Sequence, residues 1–120
     1  MKFNWCTITV KDMEQSLRFY REIVGLALSD RHAAGPGIEL AFLGDGETKV
    51  ELICNQNDQS ENLYSGVSLG FEVPSLEEKM RFIECKGIKL DSGPFEPNPY
   101  IRFFFVRDPN GLKIQFVERR

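Results

Sequence analysis

Residues 107–118, RDPNGLKIQFVE, decide how this chain reads. Pro109 sets φ at the second position of a tight turn, and Asn110 and Gly111 are residues that tolerate the positive φ expected next. The LKIQFV that follows has the two-residue period of a half-buried strand. Leu112, Ile114 and Phe116 share one face, and Lys113, Gln115 and Val117 share the other. Gln115 is therefore expected to point away from the main apolar layer. Residues 44–54, GDGETKVELIC, repeat the arrangement, with Glu51 in the place of Gln115.

Outward from these two strands, the rest of the chain falls into matching halves. Residues 3–10 alternate, with Asn4, Cys6, Ile8 and Val10 on one side and Phe3, Trp5, Thr7 and Thr9 on the other, so a strand is expected. Asp12 is a helix cap, and Met13, Leu17, Tyr20 and Val24 recur at helical spacing until Gly25 ends the run. Short strands are expected at 26–29, 38–43 and 49–53, and the aperiodic polar stretch NQNDQSEN, 55–62, reads as a linker. The second half opens with an alternating strand at 67–73 and a helix capped by Ser75, with Glu78 completing a capping box. VKDMEQSLRFYREIVG and VPSLEEKMRFIECKG then match Met13 with Leu76, Leu17 with Met80 and Phe19 with Phe82. An offset of 63 or 64 residues also carries Trp5 onto Ser68 and Glu51 onto Gln115.

These matches predict an α+β fold of two tandem βαβββ modules forming a curved mixed sheet around a cleft, with each helix on one sheet face. Module one is expected at about 1–55, the linker at about 56–65 and module two at about 66–120. Trp5 is expected to meet Ser68, and Glu51 to meet Gln115, on the side away from the helices.

At 120 residues the chain is expected to be one domain with a core that needs no disulfide staples. Fifteen Lys and Arg against eighteen Asp and Glu, with no basic block, argue against nucleic acid or an anionic membrane as partner. No apolar run reaches membrane-spanning length, and MKFNWCTITV lacks the apolar core of a signal peptide, so a cytoplasmic location is expected. Cys6, Cys54 and Cys85 have no CxxC spacing and read as small thiols in a reducing compartment, the first two on the helix-facing side.

In ITVKDMEQSLRFYREIVGL, in VELI, in LGFEV before a capped helix, and in RDPNGLKIQFVE, the chain resembles the vicinal oxygen chelate superfamily. That superfamily includes glyoxalase I, extradiol dioxygenases, fosfomycin-modifying enzymes and bleomycin-resistance proteins. The resemblance covers essentially the whole chain and implies paired βαβββ modules and a homodimer. Metal-dependent members carry ligands on the first, fourth, fifth and eighth strands, and these positions fall on Trp5, Glu51, Ser68 and Gln115. Indole offers no lone pair, Ser is a weak neutral oxygen donor, and the Gln carbonyl carries no charge. Three protein ligands are the common minimum for an enzyme metal site. No metal and no cofactor are therefore expected, and His32 is expected in an exposed loop beside AAGPG.

The resemblance then implies a small-molecule-binding protein with a degenerate metal site, holding a planar or aromatic ligand on Trp5 as bleomycin-resistance proteins do. Ser68, Tyr100, Arg102 and Phe104 are further candidate contacts. Phe103 and Phe105 share one strand face and Arg102 and Phe104 the other, so either pair can belong to the core. Residues 92–100, SGPFEPNPY, read as a stiff loop that either rims the cleft or simply connects two strands. Two alternatives stand beside binding. One is a lyase or isomerase of the lactoylglutathione lyase group, either metal-free, with Glu51 as general base and Gln115 polarising a carbonyl, or with a metal completed by other ligands. The other is a structural dimer without chemistry, its aromatic run forming core and interface.

Overall fold

The structure is a computed structural model and describes residues 1–58, 64 and 66–120. The chain divides into two compact units, Met1–Asn62 and Leu63–Arg120. Most of the expected linker, residues 59–63 and 65, lies outside the described residues.

In the first unit, strands β1 (Trp5–Thr9), β2 (Leu28–Ala33), β3 (Ile38–Leu43) and β4 (Lys49–Asn55) form a sheet in the order β1-β4-β3-β2. β1 pairs parallel to β4, and the other two pairs are antiparallel. Helix α1 (Met13–Arg18) begins where the Asp12 carboxylate accepts the Gln15 N–H at 3.0 Å. Over Phe19–Val24 the helix widens into π-helical turns, and the Gly25 N–H reaches the Tyr20 carbonyl before Gly25 turns left-handed at φ 95°. Ile8, Ala41, Leu43 and Leu52 point to the helix and are buried with Leu17, Tyr20 and Ile23. Arg31, on the same sheet face, is clamped between Glu14 of α1 and Glu39 of β3, and both carboxylates hold its proton more firmly than usual.

The second unit repeats this order with β5 (Ser68–Glu72), α2 (Leu76–Cys85), β6 (Ser92–Asn98), β7 (Ile101–Arg107) and β8 (Lys113–Arg119), the sheet running β5-β8-β7-β6. Its core joins Leu76 and Ile83 of α2 to Phe104, Val106, Ile114 and Phe116. The Ser75 hydroxyl accepts the Glu78 N–H at 3.2 Å. Glu118 of β8 accepts the Leu76 N–H at 2.9 Å, and this bond and Arg120 hold its carboxyl below the usual carboxylate range. The parallel first pair, the two antiparallel pairs and the single covering helix thus recur in each unit, as α+β tandem modules require.

Three local expectations are corrected. In the turn before β8 only Gly111 takes positive φ, 89°, and Asn110 does not. The turn is held by Asp108, a buried carboxylate that accepts the N–H groups of Asn110 and Leu112 at 2.8 and 2.9 Å. Residues 92–98 are a strand: β6 lies at the sheet edge, where missing N–H groups are tolerated, and its register shifts around Pro94 and Pro97. His32 is also in a strand, β2, because pairing with β3 continues past Arg31 to Ala33.

Candidate functional site on the open sheet faces

Each sheet has one face against its helix and one open face, and strand register sets which side chains share the open one. In the first unit Thr7 stands opposite Glu51, which stands opposite Phe42, which stands opposite Asp30. The Thr7 hydroxyl donates to a Glu51 carboxylate oxygen. Trp5, 50% exposed, lies edge-on to Phe42 with ring centroids 5.7 Å apart. On the far side of Phe42 the His32 imidazole lies nearly parallel to it, at 6.4 Å and 18°. Indole, phenyl and imidazole thus make a diagonal stripe across three strands, with Glu51 beside its centre. His32 Nδ1 is 2.7 Å from Asp30 Oδ2.

The open face of the second unit has the same register and different chemistry. Ser68 stands opposite Lys113 as Trp5 stands opposite Lys49, and Gly70 stands opposite Gln115 as Thr7 stands opposite Glu51. The Gln115 amide oxygen lies over Gly70, 2.9 Å from where a β-carbon would be. Phe105, opposite Gln115, clusters with Phe103 at 5.7 Å, and Phe103 clusters with Phe95 at 5.5 Å. Lys113 Nζ lies 4.9 Å over the Phe105 ring.

Trp5 and Glu51 therefore share the open face of the first unit, and Ser68 and Gln115 that of the second. Phe104 and Arg102 are on neither. Phe104 is fully buried against Phe116 on the helix side, because alternation along β7 places it opposite in sense to Phe103 and Phe105. Arg102, on that same helix side, is 3.6 Å from Glu77 of α2 and 3.7 Å from Glu96. Tyr100 is exposed in the turn between β6 and β7, its N–H donating to Asn98 Oδ1. Phe42, Thr7, Asp30 and His32 were missed by sequence reasoning. The alternation of IELAFL marks two faces of β3, but only the register against β4 and β2 tells which one Phe42 takes.

The family's profile, Glyoxalase/Bleomycin resistance protein/Dioxygenase superfamily, matches residues 2–116. The chain belongs to this superfamily. Among its relatives, the uncharacterized protein YwbC of Bacillus subtilis is 37% identical over 93% of each chain. A probable lactoylglutathione lyase of Synechocystis is 31% identical over 92% of this chain and 90% of its own. The solved glyoxalase I of Leishmania major shares the fold at a TM-score of 0.84 and 22% identity, over 98% of this chain and 86% of that one.

Within this superfamily a metal is the implied cofactor, and the residues present do not fit one. The four positions that the resemblance assigns to metal ligands supply one carboxylate, one amide, one hydroxyl and an indole, against a need for three good donors. Glu51 is engaged by Thr7, and the described residues contain no group of three or more His, Cys, Asp or Glu able to hold a metal ion. Among the described residues no helix is long and apolar enough to cross a membrane.

Proposed function

We propose that this glyoxalase-superfamily protein is a metal-independent binder of a small molecule with a planar or aromatic part, held on the open face of the first unit. The observation that carries the reading is the half-exposed indole of Trp5 set edge-on to Phe42 beside Glu51. An exposed flat apolar surface with one N–H donor suits stacking on a planar ring, and Glu51 supplies a single polar anchor. A homodimer, expected from the resemblance, belongs to the same reading and is checked by sedimentation equilibrium.

Trp5 is the sole tryptophan, so its indole N–H signal reports this face alone. Titration with a library of planar aromatic compounds is expected to shift that signal for at least one class. Trp5→Ala is expected to weaken binding of that class, as followed by calorimetry, while the fold persists. A library that leaves the indole signal unmoved overturns the proposal.

A second reading is supported by the Thr7 hydroxyl, which orients the Glu51 carboxylate as a general base would require. The relatives named lactoylglutathione lyase make turnover of lactoylglutathione the reaction to assay. On this reading Glu51→Gln abolishes turnover and leaves ligand affinity nearly unchanged. Binding without turnover favours the first reading.

A further inference from the structure

We infer that the Asp30–His32 pair is a proton-accepting subsite at the end of the ring stripe, so that the ligand class is a planar ring bearing an acidic O–H. The inference rests on the binding reading above and narrows its ligand.

The two residues share the open face because they are two apart on β2, and Arg31 between them turns to the helix side. With Asp30 at 2.7 Å from Nδ1, the Nδ1–H tautomer is favoured, which leaves Nε2 with a lone pair. Nε2 has no partner among the described residues, and the His32 side chain is 47% exposed. A ring lying along the Trp5–Phe42–His32 stripe brings a substituent at its edge to this nitrogen.

Other ionisable groups on this face are already engaged: Lys49 Nζ donates to the Gly44 and Gly46 carbonyls, and Glu51 accepts from Thr7. Glu51 and Asp30 are both anionic and repel a ligand that arrives already ionised. His32 offers a different route. The ligand O–H bond breaks, its proton passes to Nε2, and the electron pair stays on the ligand oxygen. The imidazolium formed donates Nδ1–H to Asp30 and Nε2–H to the new oxyanion, two charge-assisted hydrogen bonds in place of one.

A matched pair of probes tests this: 4-nitrophenol, which has the acidic O–H, and 4-nitroanisole, the same ring with the oxygen methylated. Each is titrated against the Trp5 indole N–H signal near neutral pH. The wild-type protein is expected to bind 4-nitrophenol about tenfold more tightly than 4-nitroanisole, the size of one charge-assisted hydrogen bond. Bound 4-nitrophenol is expected to show a larger share of phenolate, by its visible absorption, than the free probe at the same pH. His32→Gln is expected to erase the preference, so that the two probes bind this variant equally, and to erase the gain in phenolate absorption, with circular dichroism showing that the fold is retained. Asp30→Asn is expected to reduce the preference.

Equal affinity for the two probes, or a preference that survives His32→Gln, overturns the inference and leaves the binding reading standing. If neither probe moves the Trp5 signal, the inference falls, and the binding reading is decided by the library titration.

Discussion

At the scale of single residues, alternation along β7 separates two phenylalanines that are adjacent in sequence and unlike in role. Phe104 is fully buried against Phe116, and Phe105 lies on the open face under Lys113. Phe104→Ala is expected to destabilise the protein by about 3–5 kcal/mol in chemical denaturation, because it removes a buried ring and leaves a cavity. Trp5→Ala is expected to cost under about 1 kcal/mol, since half of the indole is in water already. The contrast is expected to reverse in ligand titrations, with binding weakened by Trp5→Ala and not by loss of the Phe104 ring. Glu51 and Gln115 were legible as polar residues on open faces, because a two-residue period needs only neighbours in sequence. Their partners were not: Thr7 and Gly70 face them from another strand, and only parallel register brings them opposite.

At the scale of elements, helix α2 is tied to β8 by Glu118, whose carboxylate satisfies the Leu76 N–H at the helix start. The fold holds this carboxyl below its ordinary value of 4.5, so the stability that it adds is fully present above that value and is lost as pH falls through its lower folded value. Glu118→Gln is therefore expected to be less stable than wild type at pH 7, with the difference shrinking under acid, as denaturation midpoints across pH will show. Strand β6 makes a second case. Gly93 has φ 100°, and a β-carbon there would sit 3.0 Å from the Phe104 backbone. Gly93→Ala is expected to cost more than about 1 kcal/mol in thermal unfolding. By contrast, a β-carbon at Gly70 meets only the movable end of Gln115, so Gly70→Ala is expected to displace that amide at little cost in stability.

At the scale of the whole molecule, the two units carry the same order of strands and helix with different open faces. The apolar helix-side positions match between the units, and the polar positions of the open faces differ. By the family resemblance, the four metal-ligand positions fall on Trp5, Glu51, Ser68 and Gln115, and of these only Glu51 keeps a strong ligand. After exposure to nickel, zinc or manganese and dialysis, the protein is expected to retain no stoichiometric metal by elemental analysis. Its melting temperature is also expected to stay unchanged, since a ligand that binds only the native state would raise it. Retained metal with a raised melting temperature would return the metal-completed lyase to the front.

By itself the sequence determined the α+β class, the tandem modules, both helix caps and the faces of β1, β4 and β8. Periodicity, cap chemistry and repeat offset are all carried by residues close in the chain or by direct comparison of its halves. Tertiary structure decided what depends on pairing between strands. It extended β2 through His32, drew the proline-rich 92–98 into an edge strand, and sent Arg102 and Phe104 to the helix side. It also gathered Trp5, Phe42, His32 and Glu51 onto one face. Register is a property of two strands at once, fixed by the summed fit of both against the core, and no single stretch of sequence contains it.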